Sequence, residues 1–388
     1  MSTKQVLLLE EKLISRIDNF CSSRYWKIKA LFIVVAVSIF FSCPTYNMLS
    51  FQNIATATLE KKIKHPFQKK HTSPGSHQSK LTYRMTIPII AHYLHLSIRS
   101  IKIIEIIAAI ALLWFSLGLA YQITRDKITS FMIGISIATL YSGNAGFVDE
   151  LCYFDAIPYC LLVMCIAIKS PSIIVLLSSA AFWCDERALI NSSLVMLYYI
   201  LPRNLDEKIN LKSCLRSMPL ALLSSWFLYF LGRYLLNNYC GFTTDTGKIG
   251  INVFLLQINH IPAAVWSAFE GLWFLILLSL FSLKKYKHPF FLMMYLGAFI
   301  IGIITACSVY DIARSIAYLL PGIFIALKVV SYVEKKDIMQ KISLRMAIIC
   351  MLALNYYYIF PFKMELTNPI LPIQLYKNIS LLVQQVIA

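Results

Sequence analysis

Residues 141–201 read YSGNAGFVDELCYFDAIPYCLLVMCIAIKSPSIIVLLSSAAFWCDERALINSSLVMLYYI. Apolar runs alternate here with two clusters of ionisable residues. Asp149, Glu150 and Asp155 form the first, and Asp185, Glu186 and Arg187 the second. A charge inside an apolar segment is costly unless it faces protein or a water-filled cavity. Six ionisable residues placed this way imply a polar site inside or at the edge of a membrane bundle.

The rest of the chain supplies the membrane context. Its 388 residues are 58% hydrophobic and only 14% charged, with a mean hydropathy of +0.67. A soluble domain carries about 25% charged residues. Repeated apolar runs of roughly 18–22 residues define a polytopic membrane protein. The formal charge of +17 does not point to nucleic acid, because the basic residues lie in short segments between apolar runs, the positive-inside pattern. The ten cysteines mostly sit inside apolar runs, as Cys160, Cys165 and Cys307 do. Without CxxC pairing they read as small buried side chains rather than disulfides or metal ligands.

Residues 1–26 read as a cytoplasmic, partly amphipathic segment without a cleavable signal. A transmembrane bundle is expected over 27–361, with outer loops 47–84 and 237–262, followed by a tail over 362–388. Spans are expected near 28–46, 101–121, 129–145, 155–169, 217–236, 263–282, 289–308, 312–331 and 344–361. TYRMTIPIIAHYLHLSIRS, ending at Ser100, is too broken for a span and reads as an interfacial helix.

The segment 171–201 is either one long helix with Asp185-Glu186-Arg187 midway, or two short helices of about 171–184 and 188–201. Each short helix would be about 21 Å long, less than the ~30 Å hydrocarbon core. Lys169 on one side, and Arg203, Lys208, Lys212 and Arg216 on the other, all read as cytoplasmic. Both ends on one side require a broken hairpin with its charged corner toward the outer face. The expected fold is therefore all-α, a polytopic integral membrane helix bundle of about eleven membrane helices, N-terminus inside and C-terminus outside.

That alternation puts Asp149, Glu150, Asp155, Asp185, Glu186, Asp245 and Asp311 together on the non-cytoplasmic side. It also puts the Lys-rich loop 47–84 there, against the charge bias. An internal repeat, which would favour a transporter, is absent from the sequence.

Sugar transfer from a phospholipid-linked donor needs few ingredients. A carboxylate takes the proton of the acceptor hydroxyl as the new bond forms. Cations or a metal stabilise the departing phosphate. Asp149, Glu150 and Glu186 are the candidate catalytic acids. Arg84, Asp155, Asp185, Arg187, Asp311 and Arg314 are the candidate substrate-binding groups, with the arginines as a phosphate clamp. Each also has a plainer reading. Asp149 and Asp155 can cap helices, Glu186 can pair with Arg187 or Arg203, and Asp311 and Arg314 can form an ion pair three residues apart. The sequence holds no HExxH, Walker-type loop or Cys/His metal constellation. A divalent cation held by the acids is the one cofactor the residues allow.

YRMTIPIIAHYL resembles an arginine–hydrophobic–proline–hydrophobic motif of bacterial polytopic proteins similar to the GT-C superfamily of polyprenyl-phosphate-sugar glycosyltransferases. Asp155 in YFDAIPYCLL, Glu186 in CDERALI, Asp311 with Arg314, and the Trp-containing run WSAFEGLWFLILLSL resemble further elements of that family over roughly residues 80–330. The resemblance implies a bacterial inner-membrane enzyme. It would move a sugar from a polyprenyl-phosphate-linked donor to a glycan or lipid-linked acceptor outside the cytoplasm, in lipopolysaccharide, capsule or related surface polysaccharide assembly. One departure is that the first outer loop lacks the family's aspartate, and its nearest acid is Glu60. A repeat-unit polymerase and a non-catalytic glycolipid transporter or flippase are the alternatives. The loop 237–262 contains no arginine, which counts against the polymerase.

Overall fold

The computed structural model describes residues 3–42, 53–68, 81–149, 152–202, 205–207, 215–243, 250–353, 355–360, 363–368, 379–380 and 383. The described chain is mostly helical, as an apolar polypeptide must be where no water can satisfy its backbone. It is a multi-span membrane-associated bundle with one small hairpin near its C-terminal end.

The amphipathic helix α1 (Thr3–Cys21) precedes the apolar α2 (Trp26–Phe41). Two short helices, α3 (Asn53–Lys64) and α4 (Thr86–Tyr93), pack together; α4 lies within the expected interfacial segment. Ser97 then caps the 27-residue α5 (Ile98–Thr124), its Oγ accepting from the Ser100 N–H at 3.1 Å. This helix ends on Arg125 in the left-handed region (φ 55°). Asp126 starts α6 (Lys127–Thr139) by accepting the Thr129 N–H at 2.8 Å and its hydroxyl at 2.7 Å.

An extended residue, Leu140, bends α6 by 51° into α7 (Tyr141–Val148). Three short helices follow: α8 (Ala156–Ala167), α9 (Pro171–Cys184) and α10 (Glu186–Ile200). The two-helix reading of 171–201 holds, with the break at Asp185 alone. Both α9 and α10 pack against α8 and against α11 (Ser217–Cys240).

After α12 (Ile251–Leu256) and a single 3-10 turn come α13 (Ile261–Phe269), α14 (Leu272–Lys285) and α15 (Pro289–Cys307). A short α16 (Ile312–Ile316) runs through another 3-10 turn into α17 (Leu320–Val333), and α18 (Lys336–Leu352) closes the bundle. Proline stands in the first turn of α9, α13, α15 and α17, where its missing N–H has no helical partner to lose.

Among the described residues, four segments are long and apolar enough to cross a membrane: α5, α11, α15 and Ile312–Val333. Counting each bent pair, α6 with α7 and the 3-10 turn and α13 with α14, as one span gives six. The expected count of about eleven is not reached. Helices such as α8 and α9, with 12 and 14 residues, span only about 18–21 Å each. Centre and periphery are distinct. Every residue of α6 from Ile128 to Thr139 is buried, whereas α11 and α15 present Phe227, Phe230, Ile300 and Ile304 outward. Exposed apolar faces of this extent suit lipid.

The expected last span, 344–361, is corrected. The helix stops at Leu352, and Asn355–Phe360 pairs antiparallel with Lys363–Asn368, placing Ile359 opposite Met364. The run NYYYIF is apolar, but its aromatic and branched side chains favour a pleated strand.

Candidate functional site

Three arginines and three aspartates from distant parts of the chain form one alternating line. Arg84 Nη2 lies 2.5 Å from Asp185 Oδ2. Asp185 binds Arg187 through two points, Nε at 2.8 Å and Nη2 at 2.7 Å. Arg187 Nη2 reaches Asp155 Oδ1 at 3.3 Å, and Asp155 Oδ2 lies 3.1 Å from Arg314 Nε. Arg314 Nη2 ends the line 3.6 Å from Asp311 Oδ2.

Local structure sets each member in place. Arg84 precedes α4, whose entry is fixed by the Met85 N–H donating to the Trp183 carbonyl at 2.7 Å. Asp155 sits at the start of α8, but its carboxylate caps no backbone N–H there. It accepts instead from the Tyr318 hydroxyl at 3.0 Å and the Tyr141 hydroxyl at 3.2 Å. Asp185 is the N-cap of α10, accepting the Arg187 N–H at 2.9 Å. Arg187 Nη1 donates to Ser315 at 2.7 Å, and the Arg314 guanidinium stacks 3.7 Å over Tyr153. Asp311 adopts a left-handed backbone (φ 65°), uncommon for a residue with a side chain.

The six formal charges cancel, so the line carries no net charge when all are ionised. Asp155 is fully buried and Asp185, Arg187, Asp311 and Arg314 nearly so. Such groups tolerate burial only because each has a partner. Burial pushes the Asp311 carboxyl up from its usual range, against the pull of Arg314 and Arg187. Among the described residues pairing is incomplete: Arg84 Nη1, Arg314 Nη1 and Asp311 Oδ1 are buried without a hydrogen-bond partner.

The candidate catalytic acids fare differently. Glu186 points away from the line, is 45% exposed, and accepts from Arg233 Nη1 of α11 at 3.0 Å. Of its expected partners, Arg187 is engaged by the aspartates instead, and Arg203 lies outside the described residues. Arg233 also stacks over Tyr83 at 4.1 Å and lines a cavity of about 390 Å³ with Tyr83, Tyr234, Asn237, Phe242 and Thr243. Asp149 belongs to a neighbouring group. Its carboxylate accepts the Phe154 N–H at 2.9 Å, holding a turn in which Cys152 and Phe154 are both left-handed. Its carbonyl accepts from Lys102 at 2.8 Å, and Lys102 pairs with Glu105 at 3.0 Å. Glu150 and Asp245 lie outside the described residues.

Sequence reasoning missed Arg233, Lys102, Glu105 and Glu270. The available signal was an ionisable residue within an expected span. No cluster of three or more metal-binding side chains occurs among the described residues. The line's carboxylates are already bonded to arginines, so the described residues do not fit a divalent cation.

Against known proteins, no family model, no curated protein and no solved structure matches this chain.

Proposed function

We propose that the protein is a GT-C-like glycosyltransferase of the bacterial inner membrane, transferring a sugar from a polyprenyl-phosphate-linked donor to a glycan or lipid-linked acceptor at the non-cytoplasmic face. The observation that carries this reading is Arg233, which lines a cavity with Tyr83, Tyr234 and Phe242 and pairs at 3.0 Å with Glu186 beside it. Aromatic faces with a few polar groups suit a sugar ring. A half-exposed carboxylate suits a base, and an arginine beside it suits a phosphate.

In this reading Glu186 takes the acceptor hydroxyl proton. The acceptor oxygen bonds to the anomeric carbon as the bond from that carbon to the phosphate oxygen breaks. Polyprenyl phosphate leaves with the electron pair, its charge met by Arg233. The Arg84–Asp311 line positions the corner that presents Glu186, rather than acting on substrate. Asp149 holds the preceding turn.

The test is binding of polyprenyl phosphate, the part common to all such donors, to the purified protein in lipid nanodiscs. Wild type should bind it and Arg233→Gln should bind at least tenfold more weakly. Equal binding by both would remove this cavity as the donor site.

A further inference from the structure

Glu270 lies outside everything described so far. It sits in the apolar run IPAAVWSAFEGLWFLILLSL, at the joint between α13 and α14, where the chain bends by 85°. Its backbone has φ 42° and ψ −116°, a region that strains any residue with a side chain. The side chain is fully buried, and neither carboxyl oxygen has a hydrogen-bond partner among the described residues.

The joint is closely fitted. Against α18, a Cβ on Gly271 would lie 2.5 Å from the Met346 carbonyl and 3.1 Å from the Cys350 sulfur. Inside the bend, the Trp273 indole N–H donates to the Val265 carbonyl at 2.8 Å. From Lys284 and Lys285 at its basic end, the 14 residues of α14 reach about 21 Å. In a hydrocarbon layer of ~30 Å that leaves Glu270 within the membrane.

Among the described residues, no charged neighbour acts on the carboxyl. From α18 the facing titratable group is the Cys350 thiol. From α6 Ser136 approaches beside it, and α14 brings no ionisable side chain before Lys284. In α16 and its cap, Arg314 and Asp311 are engaged with the buried line. The strand Asn355–Phe360 carries only tyrosines as titratable residues. With no cation and no donor among the described residues, an intramembrane carboxyl is stable only in its neutral form.

We propose that Glu270 is a proton-binding site inside the membrane. It holds its proton while the α13–α14 joint is bent, and it releases the proton to water only when the joint moves. The ligand is a single proton, and release converts the carboxylic acid to a carboxylate that must be hydrated. The strained backbone at the same residue favours that movement. The proposal is independent of the transferase reading.

The test uses the full chain in lipid nanodiscs and dicyclohexylcarbodiimide, an apolar reagent that adds to protonated carboxyls. At about pH 7 it should modify Glu270 several-fold more than the exposed Glu11 and Asp18. A water-soluble carbodiimide should show the reverse preference. As pH rises, labelling of Glu270 should fall and maleimide labelling of Cys350 should rise. In Glu270→Gln the Cys350 rise should be lost. Glu270→Leu should leave the melting temperature unchanged or higher, since no bond is removed.

Absence of Glu270 labelling at every pH would overturn the proposal. So would equal labelling by the water-soluble reagent, or the same Cys350 profile in Glu270→Gln. A lowered melting temperature in both variants would show a structural role instead.

Discussion

Arg187 folds back on Asp185, two residues before it, and binds that carboxylate three times. Nε and Nη2 meet its two oxygens at 2.8 and 2.7 Å, and the backbone N–H adds a third bond at 2.9 Å. The fold-back locks the α9–α10 corner and turns the intervening Glu186 outward to Arg233. Helix capping and buried ion pairing thus use the same carboxylate.

Removing the Asp185 charge should therefore be costly. Asp185→Asn leaves Arg84 and Arg187 without their shared carboxylate, a loss of ~3–5 kcal/mol for a broken buried pair. Asp311→Asn should cost much less, because among the described residues its carboxylate pairs with Arg314 alone, at 3.6 Å. Thermal unfolding in detergent, read by circular dichroism, checks the order.

Arg233 should behave oppositely. Its bond to the half-exposed Glu186 is a surface-type pair worth about 0–1 kcal/mol. Arg233→Gln should keep its melting temperature while raising KM for a polyprenyl-phosphate donor more than it lowers kcat. Steady-state transfer kinetics separate the two parameters.

A pH effect is expected where α18 meets α1. Arg345 of α18 grips Glu10 of α1 at 2.7 and 3.0 Å. That hydrogen bond holds the Glu10 carboxyl below its usual 4.5. A depressed carboxyl contributes stability above 4.5 and loses it as pH falls through the folded-state value. With Arg345 55% exposed, screening limits the contribution to about 1 kcal/mol or less. Asp311, whose carboxyl is raised, has the opposite sign, its contribution fading as pH rises through its folded value. Hydrogen exchange of α1 between about pH 3 and 6 should show protection lost at the acid end in wild type and absent in Arg345→Gln.

Close helix contact gives a steric prediction. A Cβ at Gly146 of α7 would lie 2.6 Å from Ala109 and 2.9 Å from the Glu105 carbonyl of α5. Gly146→Ala should destabilise by ~1–3 kcal/mol, as overpacking does. A lowered melting temperature with an unchanged Glu186–Arg233 site checks it.

The groups of the buried line were visible in the sequence because Arg84, Asp155, Asp185, Arg187, Asp311 and Arg314 interrupt or border apolar runs. Their partners were not. Pairing Asp155 with Arg314 depends on how α8 meets α16, which no spacing encodes. The division of labour between Asp185 and Glu186 was equally hidden, since adjacent residues at a helix start point apart only in three dimensions. Arg233 lay inside an expected span and was read as part of it. Hydropathy locates apolar runs, and it placed the break near Asp185, but it does not mark the one-residue break at Leu140. The last expected span took in NYYYIF, whose aromatic and branched residues have the composition of a strand, and composition prevailed.

The most direct measurement is sugar transfer by the purified protein in lipid, comparing wild type with Glu186→Gln and Asp149→Asn. Glu186→Gln should fold normally and lose ~10²–10⁴ in turnover, as expected for a missing base. Asp149→Asn should retain turnover in whatever fraction remains folded. Turnover of Glu186→Gln within twofold of wild type would contradict the role of Glu186 and the site built around it.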